Sequence, residues 1–155
     1  MSEVDMKYMQ RALELARRGL GRVSPNPAVG AVLVNDGRVI GEGYFLYEHL
    51  KHAEIYALEQ AGEQARGATL YCSLEPCCFQ GRTPPCTDAL IAAGVMRAVI
   101  AVADPHPRVR GRGLEQLRRA GIKVEVGLCE DEARQLNADF FAFHAPVAAR
   151  GELSD

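Results

Sequence analysis

The feature that most constrains this chain is a set of four side chains in three separate places: His52 with Glu54, Cys77 directly after Pro76, and Cys86. One imidazole and two thiolates form a donor set for a zinc ion that keeps its fourth position for water. Glu54 stands two residues beyond His52, close enough to shuttle protons without ligating the metal. For the donors to converge, the helix expected to begin at His52 must present its start to the start of the helix that follows Cys77. Helix starts favour anions, so a Pro-Cys turn leading into a helix also favours the thiolate. Taken singly, each residue has a plainer reading: a satisfied histidine, a surface glutamate, a buried thiol. Together, in this order and spacing, they read as a metal centre.

Bulk properties narrow the setting. At 155 residues the chain is long enough for one domain that buries about two-thirds of its unfolded surface. That domain is expected over residues 1–145, with 146–155 a polar, frayed tail. A net charge of −2 gives no general pull towards nucleic acid. No apolar run approaches the roughly 18 residues of a membrane span. Glu3 and Asp5 stand where a secretory signal would be basic, so the expected address is cytoplasmic. The five cysteines are an odd number, and four of them fall between Cys72 and Cys86. Without an export signal this clustering argues for metal or catalytic use rather than a disulfide framework. Only Cys77 and Cys86 are assigned to metal. Cys72 lies in an apolar strand-like run and Cys129 beside a helix start, and both read as ordinary packing or surface thiols.

Periodicity predicts a helix over 4–18, then a rigid loop at Ser24-Pro25-Asn26-Pro27. Two apolar runs, 29–34 and 38–44, flank Asn35-Asp36-Gly37, a strong hairpin signal. Further helices are expected over 52–61, 87–93, 114–120 and 130–143, and strands over 68–73, 96–102 and 122–126. Strands alternating with helices imply an α/β fold whose mixed sheet is largely parallel in its second half and covered on both faces.

The motif order His-x-Glu, then Pro-Cys, then Cys follows the signature of zinc nucleobase deaminases. Here, however, eight residues separate the cysteines. The runs Ser73-Leu74-Glu75-Pro76-Cys77 and Gly81-Arg82-Thr83-Pro84-Pro85-Cys86 carry a closer likeness. So do Ser24-Pro25-Asn26-Pro27-Ala28-Val29-Gly30 upstream, and Asp104-Pro105-His106-Pro107 and Gly111-Arg112-Gly113-Leu114 downstream. The chain resembles the deaminase half of the bacterial riboflavin-biosynthesis deaminase/reductases, from about residue 6 to about residue 143. That resemblance implies a cytidine deaminase-like three-layer α/β/α sandwich. It also implies hydrolytic deamination of 2,5-diamino-6-ribosylamino-4(3H)-pyrimidinone 5′-phosphate, with release of ammonia. In that scheme His52, Cys77 and Cys86 hold zinc, which lowers the pKa of the attacking water, and Glu54 carries protons to the ring and the leaving amine. By the same resemblance Asn26 contacts the ribose or base, and Arg82 meets the substrate phosphate, for which a guanidinium is well shaped. A homo-oligomer is expected on this ground as well. Arg108, Arg110 and Arg112 read as an ordinary exposed basic face.

The chain departs from that family at two positions. The family carries a histidine seven residues before the His-Ala-Glu run and another two after the first ligand cysteine, where this chain has Phe45 and Phe79. Both exchanges remove hydrogen-bond donors and offer stacking or packing instead. His49 is near enough in sequence to Phe45 to compensate through a loop rearrangement. Nothing in these residues resembles the family's nicotinamide-dependent reductase domain. Other readings stay open. One is a zinc deaminase acting on cytidine, deoxycytidylate, guanine or transfer-RNA adenosine. Another is a non-catalytic zinc domain closed by Cys78 or His106, and a third is a degenerate interaction subunit. Glu54 argues against the last, because a structural zinc has no use for it.

Overall fold

The computed structural model describes residues 2–46, 48, 51–81 and 83–145. Helix α1 (Glu3–Arg17) starts at Ser2, whose hydroxyl accepts from the Asp5 amide while the Asp5 carboxylate accepts from the Ser2 amide. This reciprocal cap satisfies two amides that a helix start otherwise leaves open. Strands β1 (Gly30–Asn35) and β2 (Arg38–Tyr44) form the expected hairpin. Its turn places Asp36 at φ 51° and Gly37 at φ 73°, the left-handed pair that matches strand twist. Helix α2 (Ala53–Ala61) follows, then one turn of 3₁₀ helix (Gly62–Ala65) that periodicity did not anticipate. The remainder alternates: β3 (Thr69–Cys72), α3 (Cys86–Ala93), β4 (Arg97–Ile100), α4 (Arg112–Arg119), β5 (Lys123–Val126), α5 (Glu130–Leu136) and α6 (Ala138–His144).

The sheet order is β2-β1-β3-β4-β5. The strand β1 runs antiparallel to both neighbours, whereas β3, β4 and β5 are parallel, so the expected mixed sheet is present. Side chains alternate across it. Ala31, Leu33, Leu70, Cys72 and Ile100 meet α2, α3 and α4 on one face through Ala53, Ala57, Leu90 and Leu117. Val32, Tyr71 and Val99 meet α1, α5 and α6 on the other through Met9, Leu13, Ala133 and Phe140. The result is three layers. Cys72 is fully buried core, as its apolar run implied. No helix among the described residues is long and apolar enough to cross a membrane.

The expected single helix over 130–143 is two. It breaks at Asn137, where φ is −117° and ψ is 41°. The Asn137 side chain accepts from the Ala28 amide at 2.7 Å and donates to the Ala28 carbonyl at 2.8 Å. Ala28 is fully buried, so both of its backbone groups need partners, and satisfying them outweighs continuing the helix. The 146–155 tail lies outside the described residues.

Two glycines set how closely α2 approaches the sheet. A Cβ on Gly41 would stand 2.1 Å from the Ala57 carbonyl oxygen, and one on Gly43 would stand 2.4 Å from that of Ala53. Only hydrogen at these positions lets the helix backbone rest directly on β2. That contact fixes the start of α2, where the site is built.

Candidate active site

His52 is the residue immediately before α2, and Glu54 lies in its first turn. Cys86 opens α3, and Cys77 sits in the turn after β3. The two helix starts converge as the spacing required. His52 Nδ1 lies 3.1 Å from Cys86 Sγ and 3.5 Å from Cys77 Sγ, and the three donor atoms all lie within 4.8 Å of one another. The Cys86 amide donates to Cys77 Sγ at 3.2 Å, and the Thr87 amide donates to the Cys77 carbonyl at 3.1 Å, so the α3 start is bonded to the Cys77 turn.

Electrostatics prepare this group for a cation. The hydrogen bond from Cys86, then those from His52 and the Cys86 amide, hold the Cys77 thiol well below the usual range. The same contact pushes Cys86 up. His52 is raised, first by its bond to Cys77. Burial pushes the Glu54 carboxyl up to about 7, with only 3% of the residue exposed. One imidazole and two thiols are a zinc donor set, and Glu54 lines the same cavity. Cys78 is not in the group: its thiol faces the Arg108 carbonyl at 3.7 Å. Neither it nor His106 joins a metal-ligating cluster among the described residues.

A cavity of about 330 Å³ is lined by His52, Glu54 and Cys77 together with Asn26, Phe45 and Phe79. Its volume suits a single small ligand. Phe45 packs edge-on to His52, with ring centroids 5.5 Å apart. Phe79 stacks on His106 at 5.8 Å and carries the Arg108 guanidinium 4.2 Å from its centroid. Both phenylalanines therefore face the site, and neither is an incidental surface exchange. Asn26 lines the cavity, whereas Arg82 and His49 lie outside the described residues. Arg108, Arg110 and Arg112 are exposed, in line with the plain reading of that cluster.

Sequence reasoning did not place the segment after β4 at the cavity, and considered His106 only as a zinc ligand. Asp104, His106 and Val109 come from the segment after β4, and Asp104 is only 8% exposed, with burial raising its carboxyl to about 7. The signal available in the sequence is the Asp104-Pro105-His106-Pro107 run, whose likeness to the family does not by itself place it at a wall. Glu75, two residues before Cys77, also lines the cavity and is buried, a place that its membership of the 73–77 run did not by itself reveal.

Residues 2–102 match the family described as the cytidine and deoxycytidylate deaminase zinc-binding region. The chain is 55% identical to the riboflavin biosynthesis protein RibD of Aquifex aeolicus (strain VF5) over 141 residues, covering 91% of this chain and 40% of that protein. The structure of Acinetobacter baumannii RibD, form 1, superimposes with a TM-score of 0.89 at 51% identity, over 92% of this chain and 40% of that one. A Thermotoga maritima diaminohydroxyphosphoribosylaminopyrimidine deaminase/5-amino-6-(5-phosphoribosylamino)uracil reductase aligns with a TM-score of 0.85 at 47% identity, over 90% and 41% of the two chains. The chain thus spans about two-fifths of the length of these relatives.

Proposed function

Since this chain belongs to the cytidine and deoxycytidylate deaminase zinc-binding family, we propose that it is the zinc-dependent hydrolase that deaminates 2,5-diamino-6-ribosylamino-4(3H)-pyrimidinone 5′-phosphate in riboflavin biosynthesis. The observation that carries the reading is the convergence of His52, Cys77 and Cys86 within 4.8 Å, with buried Glu54 beside them at one cavity. The RibD likenesses, at 47–55% identity over nine-tenths of this chain, support the choice of pathway. Residues 1–145 constitute the deaminase domain in this reading.

His52, Cys77 and Cys86 would hold the zinc, which when bound supplies a Lewis acid and a water of lowered pKa. Glu54 does the proton work. As a carboxylate it takes a proton from the water, and its raised pKa lets it hold that proton until the ring nitrogen accepts it; the second proton, from the hydroxyl added to the ring carbon, then passes through Glu54 to the departing amine. Burial around Glu54 excludes competing water. Asn26 contacts the ribose or base at the cavity wall, and Arg82 takes the phosphate. A small pyrimidine nucleotide is the partner, in a cytoplasmic homo-oligomer that does not engage nucleic acid. A net charge of −2 supports the last point, and light scattering tests the oligomer.

A second reading has its own observation. Phe45 and Phe79 line the cavity, where the riboflavin family offers histidine donors. A site that hydrogen-bonds its substrate discriminates strongly, so two lost donors shift preference towards another pyrimidine or purine base. Ammonia release from the riboflavin precursor, cytidine, deoxycytidylate and guanine decides between the readings. The precursor is expected to give the highest kcat/KM, and preference for any of the other three would overturn the pathway assignment.

A further inference from the structure

Glu75 is 3% exposed, yet its partners are backbone amides rather than a cation. Its Oε1 accepts from Asp104 N at 3.0 Å and Gly111 N at 2.9 Å. Its Oε2 accepts from Gly113 N at 2.9 Å and Leu114 N at 3.1 Å. Gly113 and Leu114 lie in the first turn of α4, whose preceding residue, Gly111, has no side chain with which to cap it. Glu75 therefore caps α4 from another part of the chain, and the helix dipole helps to balance its charge.

These four bonds join the two halves of the site. Glu75 is separated from Cys77 only by Pro76, and its own amide donates to the Val102 carbonyl at 3.0 Å. The segment it holds, 104–114, supplies Asp104, His106 and Val109 to the cavity wall. That segment is also bonded within itself: Asp104 Oδ1 accepts from His106 N at 2.8 Å, and the His106 carbonyl accepts from Val109 N at 2.9 Å. It can therefore move as a unit, and Glu75 is its buried tie to the Cys77 turn, beside the outer contacts of Cys78 with Arg108 and of Phe79 with His106 and Arg108. The fit leaves no slack. A Cβ on Gly113 would lie 2.4 Å from the Pro76 carbonyl oxygen and 3.1 Å from Glu75 Oε2. A second strut joins the same parts, since the Thr87 hydroxyl on α3 bonds Gln116 on α4.

We propose that Glu75 is a positioning residue that couples the metal-binding turn to the substrate-facing wall, so that filling the metal site orders residues 104–114. This rests on His52, Cys77 and Cys86 as the zinc site and is independent of which base is deaminated. A coupling of this kind is reciprocal: whatever tightens one end tightens the other.

Amide hydrogen exchange on the full chain, zinc-loaded and chelator-stripped, tests it without turnover. In the wild type, zinc removal should lower protection of the Asp104, Gly111, Gly113 and Leu114 amides about tenfold while β4 is unchanged, a size typical of inter-site coupling. In Glu75→Gln the amide nitrogen faces backbone donors that the carboxylate satisfied, so protection should be low in both states and the zinc effect absent. Gly113→Ala, which wedges α4 off the turn from the other side, should reproduce that loss. Tyr71→Phe, on the opposite face of the sheet, is the stability control and should keep the zinc effect whatever its melting temperature. An equal zinc effect in wild type and Glu75→Gln would overturn the proposal, as would no effect in the wild type. With the riboflavin precursor, Glu75→Gln should raise KM about tenfold and change kcat less. If the wild type does not turn that compound over, the substrate reading falls and the exchange result still decides the role of Glu75.

Discussion

Burial raises both Glu54 and Cys77, but hydrogen bonding reverses the effect at Cys77, and that contrast is what gives the site its chemistry. Glu54 loses hydration, and the charge of nearby His52 offsets only part of that loss, so its carboxyl rises to about 7. Cys77 is half-buried, but donors from Cys86 and His52 outweigh the lost hydration and hold it low. The same motif thus supplies a proton carrier and a metal-ready thiolate. Glu54→Gln keeps the shape and the ligands. It is expected to bind zinc with unchanged stoichiometry by chelator titration, while ammonia release falls by about 10²–10⁴-fold. Full activity in that variant would remove Glu54 from the mechanism. At the cavity wall, Phe45→His with Phe79→His restores two donors. If the riboflavin precursor is the substrate, its KM should fall about tenfold, the worth of two modest hydrogen bonds. A KM that does not move would mean that the aromatic wall binds the same molecule by other contacts.

The elements hold the site by backbone proximity. Helix α2 carries His52 at its start and is seated on β2 through Gly41 and Gly43. Gly43→Ala would force a Cβ to 2.6 Å from that of Tyr56 as well as against the Ala53 carbonyl. The strand or the helix must then shift, at a cost of about 3 kcal/mol or more in urea unfolding. Zinc affinity should fall with it, because the start of α2 moves. Asn137 plays the corresponding part on the opposite face, ending α5 by bonding both backbone groups of Ala28. Asn137→Ala leaves those buried groups unpaired and should cost about 2 kcal/mol by the same measurement. Helical periodicity cannot reveal such a break, because the competing partner lies 109 residues away in the chain.

Across the whole molecule, a polar network ties the first helix to the middle of the sheet. Asp5 accepts two bonds from Arg97, at 2.9 and 2.8 Å, and one from Tyr71 at 2.5 Å, while Arg97 also reaches Glu125 at 2.7 Å. Hydrogen bonding to Arg97, more than any other contact, holds Asp5 far below its ordinary value of 3.8. Because the folded-state pKa is depressed, the stabilisation is fully present above the unfolded value and is lost as pH falls towards the folded one. Asp5→Asn should therefore lower stability by about 3 kcal/mol at pH 7. The gap between variant and wild type should close progressively below about pH 4, as the wild-type carboxyl protonates. Denaturation at pH 7 and again at acid pH checks both parts, and a constant gap would show that charge is not the cause. Zinc should add stability on the same scale, since a ligand bound only by the folded state raises Tm with its concentration.

Local chemistry is what the sequence determined by itself. Donor type and order picked out His52, Glu54, Cys77 and Cys86, Asn35-Asp36-Gly37 picked out the hairpin, and alternation of apolar runs picked out a mixed sheet. Each of these depends on residues that are near one another or on a motif whose chemistry has few uses. Tertiary structure decided what depends on contacts between distant segments. It turned one long helix into two at Asn137 and seated α2 on bare glycines. It brought Asp104 and His106 to the cavity wall. It also made Glu75, two residues from a ligand cysteine, the acceptor for four amides 29 to 39 residues further along the chain. A buried carboxylate and an exposed one have the same letter in the sequence. Only packing fixes which solvent each one meets.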